Sequence, residues 1–180
     1  EARVSAKADP RALAAQALTG VVAGESLRPV LAANSPKLGD ARDRALLSAL
    51  LHEGARWWLR FDAALDAMLE RPLRERDADI RALLVLGLVQ LETMGLSDYA
   101  AVAATVEATR ALRKPAYAGL VNALLRRWLR ERATRCLELD RDAVTRTAHP
   151  RWLIEKLHAD WPGQAESILA ANNAPAPLWL

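Results

Sequence analysis

Apolar residues recur along this chain at the three- and four-residue spacing of helices, most insistently between Ile80 and Trp128. In IRALLVLGLVQLETM, Ile80, Leu83, Leu84, Gly87, Leu91 and Met94 hold one face, while Leu86, Leu88 and Val89 carry the apolar surface round the other side. A helix patterned in this way is buried nearly all round. Gly95 supplies a left-handed C-cap, Ser97 or Asp98 an N-cap oxygen, and YAAVAATVEATRAL follows with Val102, Val106 and Leu112 inward. After Arg113, Lys114 and Pro115, a third helix sets Tyr117, Leu120, Val121, Leu124, Leu125 and Trp128 on one face. Its other side bears Gly119, Asn122, Arg126 and Arg130, a row that begins without a side chain and ends in two guanidinium groups.

The flanks read the same way. Asp9 and Pro10 form an N-cap and N1 pair ahead of RALAAQALTGVV, whose inward side is Leu13, Ala17 and Val21. Arg3, Lys7 and Arg11, spaced by four, would share a face if that helix extended backwards on binding; a frayed, solvated terminus has the same spacing. A short helix from Leu27 to Ala33 ends in NSPKLG, and Asp40 caps a long segment in which Leu47, Leu50, Leu51, Gly54, Trp58, Phe61, Leu65 and Met68 stay in phase. So long a helix is expected to break, near Arg56 to Arg60, before the charged turn ERPLRERD. Past Trp128, RRWLRERATRCLELDRDAVTRTA is highly charged and reads as a helix end followed by a connector. HPRWLIEKLHADW starts afresh, with His149 before Pro150 at N1 and with Trp152, Leu153, Leu157 and Trp161 as its apolar side. Pro162 opens PGQAESILAANN, and the prolines of APAPLWL impose an extended end. With no sustained strand alternation and no internal repeat, the expectation is an all-α chain.

Composition and charge sharpen the picture in two places. A chain of 180 residues can bury roughly 70% of its unfolded surface without a metal or disulfide. Its one cysteine, Cys136, excludes an internal disulfide and fits a cytoplasmic protein. The net charge of +3 is modest, but between positions 110 and 132 Arg110, Arg113, Lys114, Arg126, Arg127, Arg130 and Arg132 face a single acid, Glu131. Arginine at helical spacing suits phosphate, a contact that positions RNA without reading its sequence. A solvated face has the same composition, and the residues alone leave both readings open. Asn122 and Gly119 likewise fit either close helix packing, with the amide bonded to a loop, or contact with a ligand.

Other chemistry is sparse. His52 and Glu53 begin like a zinc motif, but Arg56 stands where the second histidine belongs. Cys136 has no nucleophile turn around it and reads as a structural thiol; His149 reads as a helix cap or loop contact. Most of the six tryptophans sit on apolar faces, Trp57 being the least constrained. No glycine-rich turn follows a strand, so no nucleotide-type pocket is present. The longest apolar run, Ala82 to Val89, falls far short of the roughly 20 residues that cross a bilayer.

RALLSALLHEGARWWLRFDAALDAML, LVLGLVQLE, AAVAATVEATRALRK and GLVNALLRR resemble, in order and spacing, the NusB family of α-helical RNA-binding domains, through Gly87, Gln90, Leu91, Gly119, Asn122, Ala123, Leu125 and Arg126. His149, Pro150, Trp152, Leu153, Asn172, Asn173 and Pro175 are similar to the segment that follows this domain in bacterial 16S ribosomal RNA cytosine 5-methyltransferases of the RsmB (Sun/Fmu) family. At the corner after the central helix the chain departs, with Ser97, Asp98 and Ala104 where proline and an acidic residue are common.

The resemblance implies a NusB-like helical bundle over residues 5–133, then a helical connector and the truncated start of the methyltransferase region over 134–180. It adds Arg11 to the candidate RNA-binding residues, which become Arg11, Arg110, Arg113, Lys114, Asn122, Arg126, Arg127 and Arg130. For the whole protein it implies methyl transfer from S-adenosylmethionine to carbon 5 of a cytosine through a cysteine adduct. The partners would be 16S ribosomal RNA and the protein's own C-terminal catalytic domain, in the cytoplasm and away from membranes. The present chain would hold no catalytic residue, cofactor or metal and would be inactive alone. A free-standing antitermination factor that binds a leader RNA and a ribosomal protein is the alternative from another class. A structural domain that docks on its catalytic half without touching RNA is a third. Lacking a methyl-donor pocket, this chain should give no heat of binding with S-adenosylmethionine in calorimetry; a clear micromolar isotherm would sink that expectation.

Overall fold

A computed structural model of the chain describes residues 8–175, and among these every regular element is a helix. The organising element is α4 (Ala78–Glu92), in which every residue from Ala82 to Leu91 is buried. Four helices enclose it: α1 (Pro10–Val22), α3 (Ala41–Met68), α5 (Asp98–Ala111) and α6 (Ala118–Leu139). The short α2 (Leu27–Asn34) covers α1 and α3. Beyond α6, α7 (Ala143–Thr147) packs on α3 and leads into α8 (Arg151–Asp160) and α9 (Ala165–Asn173), which share a small second cluster around Ile154, Leu157, Ala165 and Leu169.

The caps lie where the sequence puts them. Asp9 accepts from the backbone N–H groups of Arg11 and Ala12, each at 2.8 Å, with Pro10 at N1. Asp40 accepts from Arg42 at 2.7 Å, and Ser97, not Asp98, caps α5 by accepting from Ala100. Gly95 takes the left-handed turn between α4 and α5, with φ +65°. Close approach explains two other glycines. A Cβ on Gly87 would lie 2.8 Å from Cδ2 of Leu125 on α6 and 3.3 Å from Cγ2 of Thr105 on α5. One on Gly54 would lie 2.7 Å from Leu86 of α4 and 3.0 Å from Leu18 of α1.

Several expectations need correction. The α3 helix does not break near Arg56 to Arg60; it runs unbroken for 28 residues. The charges there are satisfied laterally: Arg56 pairs with Glu53 on the same helix, and Arg60 bonds Asp140 at 2.7 Å and the carbonyl of Thr145 at 3.1 Å. Trp57 and Trp58 both pack half-buried against the core. The α6 helix also outlasts the expected connector, carried to Leu139 by a ladder in which Glu131 binds Arg127 and Arg135, and Arg135 binds Glu138. Cys136 is therefore a half-buried helical residue. On α8 Leu157 faces inward as expected, with Leu153 half-buried and Ile154 buried beside it, while Trp152 and Trp161 stand 68% and 51% exposed, because the second cluster spans only three short helices. Pro150 is the N-cap of α8 rather than N1, and α9 begins at Ala165 instead of Pro162. His149 makes the loop contact foreseen, its Nδ1 lying 2.6 Å from the carbonyl of Thr147. Arg3, Lys7 and the stretch 176–180 lie outside the described residues.

The contact at Gly87 supplies a test. Gly87→Leu should overpack the crossing of α4 with α5 and α6 and cost about 1 to 3 kcal/mol or more. Thermal melting should register this as a Tm lower by roughly 2 to 4 °C per kcal/mol; an unchanged Tm would mean that α6 does not press on α4 there.

Candidate nucleic-acid interface

The orientation of α6 follows from what it buries. Val121, Leu124, Leu125 and Trp128 face the core, with the Trp128 ring edge-on to Phe61 (centroids 5.9 Å apart) and its indole N–H donating to Glu92 at 2.6 Å. The opposite side must face solvent, and it carries Gly119, Asn122, Ala123, Arg126 and Arg130 as a ridge. Nothing lies within 4 Å of a Cβ built on Gly119, so close packing is not its reason for being there. Nor does Asn122 bond a neighbouring loop: its side-chain oxygen accepts from Nε of Arg126 at 3.0 Å.

A groove runs along each flank of the ridge. One, of about 610 Å3, lies against the loop between α3 and α4; Leu69, Leu73, Leu120 and Leu124 line it, with Arg71, Arg74, Arg127 and Arg130 against the single acid Glu70. The other, of about 500 Å3, lies between α5 and α6 and includes Tyr99, Asn122 and Arg126. The structure thus joins Arg127 and Arg130 to two arginines absent from the candidate set, Arg71 and Arg74, whose stretch ERPLRERD reads in sequence only as a charged turn.

The remaining candidates are differently engaged. Arg113 is exposed, in the left-handed conformation that ends α5 (φ 59°), where glycine is the usual occupant. Arg110 is exposed and pairs loosely with Glu107 at 3.4 Å. Arg127 is half-buried, bonding Glu131 at 3.0 Å and the carbonyl of Met68 at 3.2 Å. Arg11 donates from Nε to the buried Gln90 at 2.6 Å, and burial lowers its pKa against the pull of Asp9 and Asp43. Lys114 is locked between Asp79 at 2.7 Å and Asp77 at 3.0 Å and also donates to the carbonyl of Arg76. Arg113, Arg126 and Arg130 are exposed and make no ion pair among the described residues, whereas Arg110, Lys114 and Arg127 do.

Residues 8–130 match the NusB family. The chain belongs to that family. Residues 149–180 match a second description, the ferredoxin-like domain of RsmF/B-like methyltransferases. This NusB-family chain is 44% identical over 173 residues to the ribosomal RNA small subunit methyltransferase B of Pseudomonas putida, covering 96% of this chain and 39% of that protein. It is 45% identical over 172 residues to the protein of the same description from Xylella fastidiosa (95% and 38%), and 34% identical over 175 residues to that of Klebsiella pneumoniae (97% and 40%). The chain therefore spans about two fifths of the length of the curated relatives it matches.

Methyltransferases generally draw on S-adenosylmethionine, and the described residues do not fit it. They contain no strand to carry a glycine-rich turn, so no reaction step is assigned to them. No group of three or more His, Cys, Asp or Glu among the described residues could hold a metal ion, and no described helix is long and apolar enough to cross a membrane.

The network at the N-terminal end of α6 titrates. Hydrogen bonds from the Tyr117 hydroxyl (2.6 Å) and from Lys114 hold the Asp77 carboxyl below its usual range. Burial works against the Lys114 ammonium, but the bonds to Asp79 and Asp77 outweigh it and raise its pKa. A depressed carboxyl stabilises the fold above the unfolded value of about 3.9 and stops doing so as pH falls through the folded value. A raised ammonium stabilises below about 10.4 and fails as pH rises through its folded value. The Tm gap between the wild type and Asp77→Asn should therefore be flat from about pH 5 to 9 and narrow below about pH 4. A gap that persists unchanged at about pH 2 would remove the Asp77 cluster from the stability balance.

Proposed function

We propose that this chain is the RNA-engaging portion of an S-adenosylmethionine-dependent methyltransferase acting on carbon 5 of a cytosine in 16S ribosomal RNA. The observation that carries the reading is the succession on one chain of a NusB-family match and an RsmF/B-like ferredoxin-like match. A free-standing antitermination factor gives no reason for the second. The methyl donor supplies an activated methyl group when bound, and we assign its pocket to the part of the relatives' length not covered here. This chain's own residues bind and orient: Arg126 and Arg130 on the ridge, with Arg71 and Arg74 in the adjoining groove, offer guanidinium forks to successive phosphates, while Arg127 braces the groove wall through Glu131 and the Met68 carbonyl. Arg110 and Arg113 extend the charge toward the end of α5, whereas Lys114 and Arg11 hold the scaffold through Asp77, Asp79 and Gln90. The exposed Trp152 and Trp161 offer an apolar surface to the protein's own catalytic part. An enzyme of ribosomal RNA with these traits works in the cytoplasm.

Neutralisation of four or five phosphates should make binding of a single-stranded or looped RNA weaken with salt at a logarithmic slope of about −3. Arg126→Glu with Arg130→Glu should lower the affinity about tenfold or more and flatten the slope by about 1 to 2 units, with helix content intact because both side chains point to solvent. The matched control is reversal of Arg28 and Arg42, on α2 and the first turn of α3. Equal losses in both pairs would reduce the effect to diffuse attraction, and a loss in neither would favour docking of this face on the catalytic domain.

A further inference from the structure

The groove between α5 and α6 holds chemistry that phosphate contacts leave unused. Tyr99, in the first turn of α5, stands 82% exposed, an aromatic ring presented to water with no ring partner among the described residues. Beside it Val102 and Val106 of α5 and Leu129 of α6 form an apolar trough, and the polar groups Asn122 and Arg126 sit on the α6 side. Their hydrogen bond fixes their polarity. Nε of Arg126 can only donate, so the Asn122 oxygen must be the atom facing it at 3.0 Å, which turns the amide NH2 away. Two donor groups therefore remain for an occupant: the Asn122 NH2 and the outer nitrogens of Arg126. The carboxylate at the mouth, Asp98, is already held by Arg132 at 3.2 Å.

A stacking ring, an apolar trough and two outward donors suit a flat occupant with acceptor atoms on its edge and an adjacent negative charge. We infer that this groove takes a single unstacked RNA base, with Tyr99 as its platform, the Asn122 amide donating to a base carbonyl and Arg126 meeting the flanking phosphate. The inference rests on the reading of the α6 ridge as an RNA surface and adds to it a contact that reads base chemistry. Uracil meets the rim with two carbonyl oxygens, whereas adenine offers ring nitrogens only, beside an amine that itself donates. An apolar peptide side chain would fill the trough but make no use of two outward donors.

The test compares fluorescence anisotropy titrations of the full chain with a short labelled oligouridylate and an oligoadenylate. Tyr99→Ala should weaken oligouridylate binding about 5- to 100-fold, the range for loss of one aromatic stack, and leave the salt slope unchanged. Tyr99→Phe should bind like the wild type. The wild type should prefer oligouridylate, and Asn122→Asp, which keeps the oxygen for Arg126 but removes the donor, should abolish that preference at matched salt. The Tyr99 ring is too exposed for its removal to unfold the chain, and an unchanged melting curve documents this. Full affinity and slope in Tyr99→Ala would overturn the base site while leaving the ridge reading in place. Equal loss in Tyr99→Ala and Tyr99→Phe would overturn stacking, and a wild type that binds no RNA would overturn both readings together.

Discussion

A helix buried on every side can carry a polar side chain only if each of its polar atoms is met, because an unsatisfied buried amide costs about 1 to 3 kcal/mol. In α4 that side chain is Gln90. Its oxygen accepts from Arg11 of α1, while its NH2 donates at 3.0 Å to the carbonyl of Leu86 and at 3.0 Å to the Thr105 hydroxyl of α5. Thr105 passes the chain on to the carbonyl of Ala101 at 2.7 Å. Three helices are thereby held in one relative register around a core that is otherwise non-directional. Gly87, one turn earlier, lets Leu125 and Thr105 approach the same helix, so the rotation of α6 is set by the same short stretch. The outward arginine row is the reverse side of that constraint.

Much of this fold is legible in sequence because local rules and burial agree. Asp9, Asp40 and Ser97 announce helix starts, and the apolar phase of α3, α4 and α6 survives intact in three dimensions. What misleads is charge whose partner is far away. Arg60 looks like the seam of a broken helix until Asp140 and Thr145, eighty or more positions later, close over it. The connector reading after Trp128 underweights the ion-pair ladder centred on Glu131. The inward tryptophans assigned to α8 assume a full core on one side, and the described residues supply only a small cluster.

The candidate site divides along the same line. Arg126 and Arg130 are visible in sequence because their outward position follows from the inward phase of their own helix. Lys114, Arg127 and Arg11 look identical in composition, yet each is engaged by groups on another element: Asp77 and Asp79, the carbonyl of Met68, and Gln90. No count of local charge separates the two kinds. Arg71 and Arg74 are missed for the opposite reason, since a loop gives no periodicity to say which way its side chains turn. Tyr99 is passed over because it follows the cap in a helix judged only by its inward residues.

The unbroken course of α6 makes it a strut as well as a surface. The helix that bears Asn122, Arg126 and Arg130 continues to Leu139 and delivers the chain directly to Asp140, where Arg60 of α3 clamps it. Whatever rests on the arginine row is thus measured against α7 to α9 by helical geometry, about 1.5 Å of rise and 100° of turn per residue. Inserting or deleting one residue between Arg130 and Leu139 would leave every side chain of the ridge in place and still rotate the succeeding segments by more than a quarter turn. The length of this helix is therefore a gauge, and selection would act on its residue count as strictly as on its residues.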